Sequence, residues 1–289
     1  VRVGSLFSGY GGLDLAVLDV IKGAKVAWHV ENDHWPSQIL KHHNPKVPNF
    51  GDITKVDFST VPKVDILTGG YPCQPFSIQG VRKGTEDERH LFPYVRQAIS
   101  TLRPKLTLLE NVSGHRSLGF DTVLADLAED GFDVRWHCLP AWEIGTPHHR
   151  DRIFILISEA SNTIGGGFSD GFTIRPKQKN TTTSVSPILL PGTSQADLWG
   201  EFEGSIRRWE LASGRAAPLA VEKNRNGNPR LTAAFLEWMM GLPEGHVSNP
   251  AIKVPYHLQK QIIGNGVCPQ QASAALRFLL EDSNFDIIG

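Results

Sequence analysis

Two side chains of opposite chemical character set the terms for this 289-residue chain. Cys73 sits in "GGYPCQPFSIQG" (69–80), between Pro72 and Pro75, and Glu110 lies at the end of the apolar run "LTLLEN" (106–111). A free cysteine is most often a buried small hydrophobe. Here a proline on each side fixes backbone torsions and so aims the thiol. The run "VDILTGG" (64–70) precedes Cys73, and a helical stretch at 92–102 separates it from the run that carries Glu110. Two strands joined in this way are expected to be neighbours through a right-handed crossover, about 4.8 Å apart. Ligands of an open parallel sheet bind at the carboxyl ends of its strands. Thiol and carboxylate would then flank a gap the width of a flat ring. A thiolate adding to a ring carbon, with an acid to neutralise the charge on a ring nitrogen, splits one hard step into easier ones.

A third feature supplies the other reactant. "FSGYGG" (7–12) follows the first apolar run and opens a helix. Glycines let the backbone approach a ligand, and a helix N-terminus favours polar or anionic groups. The dinucleotide fingerprint requires glycine at its sixth position, where "GYGGLD" has Asp14, which argues against NAD. Glu31, at the end of the second run, suits a ribose, because a carboxylate accepts from both hydroxyls. A glycine loop alone also reads as a tight turn; with Glu31 it favours a nucleoside-bearing ligand. A methyl donor is such a ligand. Cytosine C5 is a poor nucleophile until a thiolate adds at C6 and an acid stands near N3. A base inside a duplex must also be flipped out to be reached.

The elements that must position these groups are readable as alternating strand and helix over the first 160 residues. Strands are expected at 2–7, 25–31, 64–70, 106–111, 132–139 and 152–158, and helices at 12–21, 34–42, 92–102 and 120–131. Apolar runs without alternation predict a parallel sheet covered on both faces, in a doubly wound α/β fold. From about residue 160 the chain turns rich in Gly, Ser, Thr and Asn, which reads as loops or a small irregular domain. Helical signals return at 231–241 and 270–282.

Composition narrows the class. The chain is 40% apolar and 20% charged, as expected for a globular protein, and no apolar run is long enough for a membrane span. Cys73, Cys138 and Cys268 form no CxxC pair, so neither a cysteine zinc site nor a disulfide framework is indicated. His148 and His149 are adjacent without an acidic partner at ligand spacing, and no metal is expected. A reducing cytoplasm fits. The net charge of −1 does not advertise a nucleic-acid binder, and residues 160–257 hold only ten Lys and Arg against eight Asp and Glu.

In order, these motifs resemble those of the C5-cytosine DNA methyltransferases. "FSGYGG" looks like the family's first motif, implying that Phe7, Gly9, Tyr10, Gly11 and Gly12 meet S-adenosylmethionine, whose product is S-adenosylhomocysteine. Glu31 with Asn32 corresponds to the ribose-binding acid, and Asp52 and Ile53 to the pair beside the adenine. "GGYPCQPFS" is similar to the catalytic loop, with Cys73 the implied nucleophile and Gly70, Pro72 and Leu91 beside the cofactor. "ENV" (110–112) makes Glu110 the group at N3. "HHRDR" (148–152) resembles Gln-x-Arg-x-Arg, implying Arg150 near the base and Arg152 tied to the site. "RLTAAFLEWMMGLP" (230–243) looks like the ninth motif and "IGNGV" (263–267) like the last, placing Asn265 and Gly266 at the cofactor. The chain departs from the pattern at His148, at Gly266, and at Ala233, where a proline usually follows the threonine.

The resemblance implies a Rossmann-like catalytic and cofactor-binding domain from 1–159 plus 258–289, and a smaller target-recognition domain from 160–257. It implies double-stranded DNA as partner, a prokaryotic or phage setting and monomeric action, and leaves open whether a cognate restriction endonuclease accompanies the enzyme or it acts alone. Within 77–92, Ser77, Arg82 and Lys83 are expected at phosphates and Gln79 in the gap left by the flipped base. Arg175, Lys177, Lys179, Arg207, Arg208, Arg215 and Arg225 are candidates for phosphate or guanine contacts, and equally for solvated charge. Trp199, Trp209 and Trp238 read as core. Methylation of tRNA by the same chemistry, and a catalytically dead DNA-binding regulator, are the rival readings. Comparing duplex DNA with tRNA decides the first, and intact Cys73, Glu110 and Arg150 oppose the second.

Overall fold

The computed structural model describes residues 1–72, 91–117, 119–160 and 199–281. Six strands, β1 (Arg2–Leu6), β2 (Lys25–Val30), β3 (Ile66–Gly69), β4 (Leu106–Val112), β5 (Phe132–Pro140) and β6 (Asp151–Glu159), form one sheet in the order β2-β1-β3-β4-β6-β5. The crossover expected between the strands leading to Cys73 and Glu110 is present: β3 pairs in parallel with β4, with Gly69 opposite Leu109.

The all-parallel expectation is corrected at one strand. β6 runs antiparallel to both β4 and β5, with Val112 opposite Arg152. The link from β5 to β6 is a short turn carrying one 3-10 helix (Ala141–Ile144), too short for a crossover back to the same edge. An apolar run buried on both faces reads the same in either direction, so the hydrophobic pattern carried no sign of the reversal. Its consequence is positional: β6 begins where β4 ends.

Helices cover both faces. α1 (Gly12–Val20) and α2 (His34–His43) follow β1 and β2; α3 (Phe92–Leu102) and α4 (Phe120–Glu129) flank β4. On α3 the buried Val95, Ala98, Ile99 and Leu102 recur at helical spacing and pack into a core with Trp28, Leu67 and Leu109. The opposite face buries Val17, Ile66 and Leu156 beneath Leu276 and Leu279 of α8 (Pro269–Glu281). The late helix thus returns to the first one, and Arg277 reaches Asp19 at 3.3 Å.

A second cluster lies beyond the sheet. α5 (Glu203–Ser213), a two-stranded hairpin β7 (Val221–Lys223) and β8 (Pro229–Leu231), and α6 (Ala233–Met239) surround Ile206, Trp209, Phe235 and Trp238. Trp209 and Trp238 are core residues, as read, and Trp199 stacks on Phe235. Thr232 caps α6 by accepting from the Phe235 N–H at 3.1 Å, which starts the helix without a proline at Ala233. Residues from Met240 to Val254 leave this cluster and pack with Tyr10 and Ile39. α7 (Tyr256–Asn265) then leads back to the sheet.

Candidate active site

The first wall is the turn after β1. Phe7, Gly9 and Gly11 all have positive φ, at 48°, 54° and 86°. A side chain in that region costs about 1–2 kcal/mol, so the two glycines remove a penalty that Phe7 alone bears. Glu31 braces this turn: its Oε2 accepts from the Gly9 N–H and its Oε1 from the Asp33 N–H, both at 2.8 Å. Burial raises the Glu31 carboxyl above its ordinary range, opposed by those N–H donors.

The second wall comes from the far end of the chain. The Tyr10 hydroxyl donates to the Val267 carbonyl at 2.7 Å. A methyl group at Gly12 would run into that carbonyl, and one at Gly266 would overlap the Tyr10 ring. The departure at Gly266 is therefore explained: here the aromatic ring of the glycine loop takes the space of a side chain. Between the walls lies a cavity of about 230 Å³ lined by Phe7, Gly9, Tyr10 and Gly12 on one side and Asn265 and Gly266 on the other. Gly70 and Glu110 close its floor.

Glu110 brings the acid. It is 8% exposed at the end of β4. The reversed β6 delivers Arg152 to it, with Nε 2.7 Å from Oε1. Burial pushes the Glu110 carboxyl up, toward holding its proton, while Arg152 and Arg150 pull it down. The net direction is upward, so burial outweighs the two arginines. Arg150 is the second arginine whose charge acts on Glu110. Its guanidinium donates to the Gly264 carbonyl at 2.9 Å and to the Gly266 carbonyl, clamping the loop that forms the second wall. The Gln271 amide of α8 in turn donates to the Arg150 carbonyl at 2.7 Å and to the Leu139 carbonyl at 2.6 Å. His148 Nε2 donates to the Met239 carbonyl at 3.1 Å, tying the start of β6 to α6; burial lowers its basicity.

Other predicted residues lie off the cavity lining. Gly11 opens α1 as its N-cap, and Asn32 is exposed beside Glu31. Asp52 caps a short 3-10 helix by accepting from Thr54, and Ile53 is buried in the core. Leu91 packs on that core, and Pro72 is exposed. Cys73, Ser77, Gln79, Arg82 and Lys83, with Arg175, Lys177 and Lys179, fall outside the described residues. Sequence reasoning missed Asp33, Trp35 and Pro36, and Leu258, Gln261 and Ile262 on α7, all of which line the cavity. The first three were findable, since they follow the strand-end acid at the start of a helix.

The residues present fit a nucleoside-bearing cofactor: Gly9 after β1 and Gly70 after β3 line the cavity without side chains, and Glu31 braces the Gly9 turn. Arg207 is engaged by Glu210 at 2.6 Å and Arg215 donates to the Leu242 carbonyl at 2.7 Å, while Arg208 is exposed with one contact to Ser205 at 3.4 Å. Among the described residues no group of three or more His, Cys, Asp or Glu side chains is placed to hold a metal.

Comparison with known proteins places this geometry. The sequence model of the family described as C-5 cytosine-specific DNA methylase matches residues 1–199. The type II methyltransferase M.NgoBI of Neisseria gonorrhoeae is 38% identical over 287 residues, covering 91% of this chain and 87% of that protein. M.HhaI of Haemophilus parahaemolyticus is 32% identical over 196 residues, covering 66% and 57%, and M.NlaX of Neisseria lactamica 32% over 160, covering 54% and 51%. The chain thus spans about half the length of some curated relatives and most of another. Among solved structures, S. pombe Dnmt2 methyltransferase superposes with a TM-score of 0.65 at 17% identity, over 99% of this chain and 100% of that one. A putative DNA modification methyltransferase from an E. coli prophage gives 0.62 at 20%, over 98% and 100%; both likenesses speak to the fold. On the family match and the full-length relative, the chain belongs to the C-5 cytosine-specific DNA methylases.

Proposed function

We propose that this protein transfers a methyl group from S-adenosylmethionine to C5 of cytosine in a specific double-stranded DNA sequence. The observation that carries the reading is the buried Glu110, on the wall of the glycine-loop cavity and 2.7 Å from Arg152. Gly9, Asn265 and the Glu31-braced turn would hold the cofactor. When bound, S-adenosylmethionine supplies an electrophilic methyl group and departs as S-adenosylhomocysteine.

The chain's own residues do the rest. The Cys73 thiolate adds to C6 of a flipped cytosine while Glu110 gives its proton to N3, so the electron pair of the C5–C6 double bond becomes available at C5. Arg152 holds the Glu110 carboxyl in place and stands ready for the charge left behind. After C5 has gained its methyl group, a base takes the C5 proton, the double bond re-forms, the thiolate leaves and N3 returns its proton to Glu110. Arg150 fixes the 264–266 loop, which would form part of the cofactor's seat. Its DNA is that of a prokaryote or phage, as for the Neisseria gonorrhoeae and Bacillus phage relatives.

The test is base-resolution methylation mapping of DNA from cells expressing the protein, beside purified methyl transfer to duplex DNA and to tRNA. C5-methylcytosine at one recurrent sequence is expected. Cys73→Ala should abolish transfer while S-adenosylhomocysteine still binds; normal incorporation by that variant would sink the covalent step.

A further inference from the structure

The β7–β8 hairpin has a tip built from within. Asn224 Oδ1 accepts from the Asn226 N–H at 2.9 Å and the Asn228 N–H at 3.0 Å, and the Gly227 N–H donates to the Asn224 carbonyl at 2.9 Å. Gly227 supplies the left-handed position, with φ at 80°. One asparagine is spent in holding the turn. The side chains of Arg225, Asn226 and Asn228 are left exposed on a preorganised tip, with Lys223 exposed at its base.

The hairpin is also anchored. Arg230 is held by Glu222 at 2.7 Å and lies over the Tyr256 ring at 3.9 Å, and the Tyr256 hydroxyl donates to the Leu231 carbonyl. Tyr256 begins α7, and Asn265 at its other end lines the cavity. Ten helical residues span about 15 Å, roughly four base-pair steps at 3.4 Å each. The hairpin's anchor therefore lies one short helix, about 15 Å, from the cavity wall.

Its chemistry fits base edges better than it fits phosphate alone. Residues 221–231 carry three cationic side chains and one carboxylate, on a chain whose net charge is −1. Arg230 is occupied as a buttress, which leaves Lys223 and Arg225 for DNA. Two neutral amides add no charge for phosphate, yet asparagine pairs with adenine N6 and N7 and arginine with guanine O6 and N7. A two-stranded ribbon is of a size the major groove admits.

We propose that the tip of this hairpin enters the major groove beside the flipped cytosine and that Arg225, Asn226 and Asn228 help to select the methylated sequence. This rests on the reading of the protein as a duplex-DNA methyltransferase. The experiment compares the full chain with Arg225→Ala, Asn226→Ala, Asn228→Ala and Lys223→Ala, mapping methylation at base resolution and measuring transfer to the mapped site and its single-base variants. At least one of the three tip variants is expected to lose about ten- to a hundredfold in preference at a flanking position. Lys223→Ala should weaken binding evenly across sequences and lower the salt slope by about one. Unchanged site preference in all three tip variants, with the parent active, overturns the hairpin inference alone. A parent that methylates no duplex DNA overturns the function reading and this inference with it.

Discussion

The cavity wall and the β7–β8 hairpin use the same side-chain types to opposite ends. Around the cavity Arg150 and Arg152 are bound to backbone carbonyls and to a buried carboxylate. On the hairpin Arg225 is exposed and only its scaffold, Asn224, Glu222 and Arg230, is engaged. A catalytic group must meet its reactant in one geometry, so its neighbours are fixed in advance. A reading group must be free to exchange water for a base edge. The difference predicts that substitutions in the first region act on rate and folding, and that those in the second act on choice of sequence.

The largest effect tests the rate side. Glu110→Gln keeps the shape but removes the transferable proton, and should lower kcat by roughly a hundred- to ten-thousandfold with little change in cofactor binding, measured by single-turnover transfer and calorimetry. The pH profile sharpens this. Because the folded carboxyl lies above its unfolded value of 4.5, the folded state holds the proton longer. This raises stability below the ordinary glutamate range and costs stability as pH rises through the raised value. The parent's kcat should fall as pH climbs through that value, and the Gln variant should lack that limb. A parent profile that rises there instead would contradict Glu110 as acid.

Arg152→Ala should come next in effect on folding. It leaves a buried carboxylate without its partner, a loss of at most about 3 kcal/mol, because Glu110 can take up a proton instead; urea denaturation reads it. Gly266→Ala should cost about 1–3 kcal/mol by overpacking against Tyr10. The Tyr10→Leu change should be less harmful in that background than alone, a coupling that a double-mutant cycle measures. Thr232→Ala should remove about 1 kcal/mol with its cap. Arg225→Ala, at the foot of the scale, should stay within about 0.5 kcal/mol of the parent in melting experiments.

The two regions also differed in how far they could be read from residues alone. The strand–helix order of the first half was legible because long buried runs such as "RIFILIS" dominate their windows. The direction of β6 was not, since burial on both faces erases alternation. That hid the reason Arg152 meets Glu110. The role of Arg150 against Gly264 and Gly266 joins residues more than a hundred positions apart, which no local pattern encodes. In the second region, three-residue strands such as Val221–Lys223 fall below any periodic signal. Three of the four α7 residues on the cavity wall escaped notice because "YHLQKQIIGN" has little apolar weight.

The hydrogen bond from Tyr10 to Val267 spans 257 positions. A ribosome adds about 5–20 residues per second, so the glycine loop waits on the order of ten seconds or more for the residues that complete its pocket. Once Glu110 has been made, the emerging polypeptide has its thiol motif and acid but no closed seat for the methyl donor. Catalytic competence arrives late in synthesis, and a product truncated before residue 258 should be translated, partly folded and silent.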